Sequence, residues 1–112
     1  MTTVPAPIQA MIDATNAGDS DAFVAAFTED GYLNDWGREF RGGDELRSWD
    51  STDNIGVQAH FDVVSVSDEG DGEYVVVLKV SGNGFNGTGP MTFQVRGDKL
   101  ASMVITDRKS VV

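Results

Sequence analysis

The sequence predicts a single α+β domain over residues 1–112: a cone-shaped, curved, mixed or antiparallel sheet with three N-terminal helices packed on its concave side. Two observations predict it. Apolar residues recur at helical spacing early in the chain and alternate with polar ones from Val57 onward, so helices precede a long meander of strands, which is an α+β order. The chain's 112 residues can bury one modest core or wrap one pocket, but leave no material for a second lobe.

Helix one is carried by Ile8, Met11, Ile12 and Thr15, begins behind Pro5 and Pro7 and stops at the turn Asn16 to Asp19. Asp19 then caps a second helix whose Phe23, Ala26 and Phe27 share a face, ending at Glu29 to Gly31. The next segment reads as a strand, with Leu33 and Asp35 on one face and Tyr32, Asn34 and Trp36 on the other. A short third helix starts at Gly42, with Asp44 and Glu45 where the macrodipole favours acids and Leu46 and Trp49 one turn apart. Ala59, Phe61 and Val63 alternate against Gln58, His60 and Asp62, and Ser67 to Glu73 reads as a polar hairpin turn. The strand from Tyr74 to Gly82 is apolar on both faces, which predicts one face toward the helices and the other toward a second subunit, hence a homodimer. Two further strands flank the turn Arg96 to Lys99.

Charge narrows the partners. Eight basic residues against eighteen acidic ones leave a formal net charge of −10, which repels nucleic acid and anionic membrane surfaces. The N-terminal stretch lacks a basic region followed by an apolar run, so a soluble cytoplasmic protein is expected. With no Cys and one His, a thiol nucleophile is excluded and neither a metal nor any other cofactor is expected. Gly82 to Gly87 spells G-x-G-x-x-G, but a strand follows it rather than a helix, so a wide hairpin loop is expected in place of a dinucleotide cradle. Asp68 and Asp71 lack the spacing of a calcium loop.

Asp35 is the residue that calls for chemistry. A carboxyl group turned toward hydrocarbon loses hydration, so it must find donors, line a wet cavity or take up a proton. Such an acid can move a proton alpha to a carbonyl; the opposite expectation places it in solvent or pairs it with Arg38 across the turn. His60 is a candidate assistant, by virtue of a side chain that titrates near neutrality, or else an edge histidine bonded to a neighbour. Trp36, Trp49, Phe85 and Phe93 are candidates to line a pocket for a flat apolar ligand, joined by Tyr32 if a bulge turns it inward.

The run from Asn16 to Trp49 resembles the nuclear transport factor 2-like superfamily, in its branch of SnoaL-like polyketide cyclases and steroid delta-isomerases. Asn16, Gly18, Asp19, Phe27, Asp30, Asp35, Gly42 and Trp49 fall into that pattern. The resemblance implies a cystatin-like cone, often dimeric through its sheet, with a hydrophobic pocket at the open end and Asp35 in the place of the isomerases' general base. It also implies Met11 at the pocket, in the position of a donor tyrosine, and Thr92 in that of a protonated acid. Neither reproduces a two-donor oxyanion hole, and one lost donor is typically worth about two orders of magnitude or more in rate. The expected function is therefore cyclase-like or isomerase-like acid/base chemistry on a small hydrophobic carbonyl compound, with Asp35 and His60 catalytic; the alternative is a non-catalytic ligand-binding or dimerisation module.

Overall fold

The computed structural model describes residues 3–84 and 86–105. Helix α1 (Ala6–Ala17) carries Pro7 in its first turn, where the missing N–H is no loss, and ends at Gly18 with φ 72°. Helix α2 (Ser20–Ala25) is capped by Asp19, whose carboxylate accepts from the Ala22 N–H at 3.0 Å. Strand β1 (Phe27–Asp35) starts earlier than the sequence predicts. Phe27 stands four residues after Phe23, as a helix would require, but its main chain pairs with Leu100 instead. Tertiary pairing overrides local spacing here.

A turn at Trp36 and Gly37, with φ 55° and 92°, folds β1 onto β2 (Arg38–Arg41). Left-handed dihedrals at both central residues match the twist of a two-residue hairpin. Helix α3 (Gly42–Asp53) follows, and its Glu45 carboxylate accepts from the Arg41 N–H at 2.8 Å. A 3-10 turn (Ile55–Val57) leads to β3 (His60–Gly70), β4 (Glu73–Ser81), β5 (Gly87–Arg96) and β6 (Lys99–Ile105). The expected turn from Ser67 to Glu73 shrinks to Asp71 and Gly72, at φ 54° and 81°, because both strands continue to its edges. Gly82 to Gly87 joins β4 to β5, strand to strand.

The six strands lie in the order β2-β1-β6-β5-β4-β3, with β1 parallel to β6 and the other neighbours antiparallel. The sheet is mixed and does not close. Three helices cover one face, where Ile8, Met11, Phe23, Leu33, Leu46, Phe93 and Met103 are fully buried. Asn16 fastens α1 to the edge strand β3: its amide donates to the Phe61 carbonyl at 3.0 Å and its side-chain oxygen accepts from the Phe61 N–H at 2.8 Å. Among the described residues no helix is long and apolar enough to cross a membrane.

Candidate functional site

Strand register decides which side chains meet under the helices. Paired residues share a face, and the pairs Val76–Met91, Met91–Ile105, Ile105–Asp35 and Asp35–Arg38 run across the sheet as one inward row. That row ends in a carboxylate and a guanidinium because β2 folds back under the end of α3. A cavity of about 150 Å³ lies there. Its walls are Trp49, Phe61, Val80, Met91 and Ile105, and its polar side is Asp35, Thr52, Asp53, Asn54 and Ser81.

Asp35 is 15 % exposed at its side chain. Its Oδ2 accepts from Trp49 Nε1 at 3.0 Å and from Arg38 Nη2 at 2.6 Å, while no described residue donates to Oδ1. Asp35 thus both lines the cavity and pairs with Arg38, two arrangements that the sequence presents as alternatives. Arg38 Nη2 also reaches Asp53 Oδ2 at 2.5 Å, tying the start of β2 to the C-terminal turn of α3. These two bonds, that to Asp53 first, raise the affinity of Arg38 for its proton.

Partial burial raises the Asp53 pKa, but the hydrogen bonds from Arg38 and Thr52 outweigh it and hold the carboxyl below the usual carboxylate range. A depressed folded-state value means that the stabilisation is complete above the unfolded value and is lost as pH falls through the folded one. Since Arg38 is more than half exposed, Asp53→Asn is expected to cost only about 0.5–1 kcal/mol at neutral pH. Urea titrations should show the gap between the variant and the parent closing as pH drops below about 4.

The sequence points to neither Asp53 nor Asn54. Asn54 is 1 % exposed; its amide donates to Thr15 Oγ1 and Asp50 Oδ1, each at 3.0 Å. Its carbonyl oxygen and Asp50 Oδ2 have no partner among the described residues. The i, i+4 spacing of Asp50 and Asn54 on a helix end was the available signal.

Of the residues expected at the site, the structure brings together Asp35 and Trp49. His60 is not brought there. It pairs with Ser81 across the sheet and points to the outer side, half exposed, with Nε2 3.4 Å from Asp62 Oδ1. Tyr32 stays on the outer face, donating to Glu39 at 2.7 Å beneath the Arg41 guanidinium, because alternation is unbroken from Tyr32 to Asp35. Trp36 sits exposed on the hairpin turn. Met11 and Phe93 are core residues rather than cavity walls, packed where the helices meet the sheet. Phe85 lies outside the described residues. On β5 the inward side chain is Met91, while Thr92 pairs with Val75 and Val104 on the outer face.

Comparisons with known proteins agree with this architecture. No curated protein matches the sequence. A candidate polyketide cyclase from Sinorhizobium meliloti superimposes with a TM-score of 0.80 at 24% identity, over 92% of this chain and 95% of that one. The delta-5-3-ketosteroid isomerase of a Mycobacterium species gives 0.78 at 16% identity, over 94% and 92%. A Mycobacterium tuberculosis protein solved with estradiol-17β-hemisuccinate gives 0.78 at 16% identity, over 91% and 92%. At these identities the likeness is one of fold. The SnoaL-like domain signature matches residues 8–103, and with most of its length inside that match the chain belongs to the SnoaL-like domain family.

Proposed function

We propose that the domain moves a proton alpha to the carbonyl of a small hydrophobic compound, cyclase-like or isomerase-like, with Asp35 as the base. One observation carries this reading: a carboxylate stands in the wall of a cavity with apolar and polar sides, with Oδ2 held by Trp49 and Arg38 and no donor to Oδ1 among the described residues. Two donors on one oxygen fix the orientation of the carboxyl group, which a general base needs before its basicity matters. Asp35 takes the proton, and the C–H electron pair moves onto the carbonyl to give an enolate. The proton then returns to another carbon in an isomerisation, or the enolate carbon attacks a second carbonyl in an aldol closure, whose π electrons move onto its oxygen, and the alkoxide formed there takes the proton back from Asp35. The candidate polyketide cyclase and the ketosteroid isomerase among the fold neighbours favour this class of reaction. His60, on the outer face, takes no part.

The test is deuterium incorporation from heavy water into cyclic ketones, followed by NMR. Enzyme-dependent exchange alpha to the carbonyl is expected; ketones that bind without exchanging would overturn the catalytic reading. That outcome describes the rival, a non-catalytic binding domain, which one feature favours. The lining donors Trp49 Nε1, Thr52 Oγ1 and the Asn54 amide are already committed to protein acceptors, so few remain to stabilise an enolate.

The same proposal includes a cytoplasmic homodimer formed through the outer sheet face. Val75, Val77 and Val104 lie there with Pro90 opposite Val77, all only partly buried, and an apolar strip of this kind suits a second copy of itself. Val77→Lys should then yield monomers by light scattering, whereas a dimer persisting in that variant would place the contact elsewhere.

A further inference from the structure

We infer that the cavity takes an uncharged ligand with a single ring and one hydrogen-bond donor, such as a hydroxyl or an enol, and excludes both fused-ring compounds and anions. The inference deepens the proposed function, since it rests on the cavity beside Asp35 being the binding site.

Size is the first argument. The cavity holds about 150 Å³, and an apolar protein cavity of about 150 Å³ accommodates one benzene ring. Pockets for drug-sized ligands start at about 300 Å³, so a four-ring skeleton would have to leave most of its surface in water. Charge is the second. Asp35 and Asp53 line the site and no described lining residue is cationic, while Arg38, behind them, is shared between both carboxylates. One guanidinium against two carboxylates leaves an excess negative charge, and an anionic ligand would lose its hydration next to it.

Hydrogen-bond accounting supplies the donor. The amide, indole and threonine donors around the cavity are spent on protein acceptors and leave the Ser81 hydroxyl, whereas Asp35 Oδ1 and the Asn54 carbonyl oxygen both have no donor among the described residues. A ligand hydroxyl completes Asp35 Oδ1, and the indole N–H of Trp49, bonded to the other oxygen of the same carboxylate, reports that event.

The experiment titrates the intact protein with phenol, anisole, benzoate and estradiol while following the Trp49 indole N–H by NMR. Phenol is the single-ring analogue of an enol, anisole removes its donor, benzoate adds a charge, and estradiol carries the same phenol fused to three more rings. Phenol is expected to shift the Trp49 signal, with anisole and benzoate each weaker by about tenfold or more and estradiol without effect. Estradiol matching phenol would overturn the size limit, and benzoate matching phenol would overturn the charge rule, while the site itself stood in both cases. If none of the compounds moves Trp49, the cavity is not the binding site and both the inference and the proposed function fall. Binding is read here without turnover, so a protein that binds phenol but exchanges no deuterium upholds this inference and refutes only the catalytic one.

Discussion

Asp35→Asn is expected to lower the rate of deuterium exchange by about 10²–10⁴-fold, the usual share of a general base, while the protein remains folded and binds phenol about tenfold more weakly, because an amide NH2 replaces the acceptor Oδ1. The amide keeps the size of the carboxylate and an oxygen able to accept from Trp49 and Arg38, but it cannot take a proton. Arg38 is not stranded by the change, because Asp53 holds the same Nη2 at 2.5 Å. The stability cost is accordingly expected to be about 1 kcal/mol or less, checked by the thermal midpoint. A fall in kcat far larger than that loss of phenol affinity, with the binding of anisole retained, would be the signature of a group that acts on the proton in flight rather than on the bound ligand. Unchanged exchange would remove Asp35 from the mechanism and leave Asp53 as the remaining lining carboxylate.

What the sequence reveals and what it hides divide along the range of the interactions. Alternation places Asp35 on the side of Leu33, and the register confirms that face, since Asp35 pairs with Ile105 and Leu33 with Met103. Two periods, helical and then alternating, are enough to read α+β order, and the resemblance from Asn16 to Trp49 adds the family. The partners of Asp35 are another matter. Trp49 is legible as an apolar position one turn from Leu46, yet its indole N–H reaches Asp35 only because α3 crosses over the end of β1. The Arg38–Asp53 bridge spans fifteen residues and depends on the same crossing. Alternation also shows His60 and Asp62 on one polar face, and the structure turns that face outward; a lone titratable side chain suggests chemistry that its neighbours do not supply. Met11 shows the limit of likeness to a family, because the position that the resemblance gives to a pocket donor is filled here by core packing, and Phe93 shows that an aromatic side chain on a strand serves the core as readily as a pocket. The end of helix α2 is misplaced for a physical reason of its own, as Phe27 satisfies helical spacing and strand alternation alike, and only the pairing with Leu100 decides between them.

The junction that closes the cavity depends on one residue with no side chain. A Cβ at Gly56 would lie 1.5 Å from the Ser51 carbonyl oxygen and 2.4 Å from its carbon, and these are main-chain atoms of α3 that cannot rotate aside. Gly56→Ala must therefore push the 3-10 turn away from the helix, dragging Asn54 and Val57, which line the cavity on either side. The expected cost is about 3 kcal/mol or more, a fall of roughly 10–20 °C in thermal midpoint for a domain of this size. Gly43→Ala is the matched control. Its Cβ would make an ordinary 3.6 Å contact with Val24 inside helix α3, where replacing Gly by Ala is worth roughly 0.5–1 kcal/mol in favour of the fold. If Gly56→Ala instead melts with the parent protein, the main chain at the end of α3 does not approach the turn this closely, and the wall that sets the cavity near one ring in size is wider than the geometry gives.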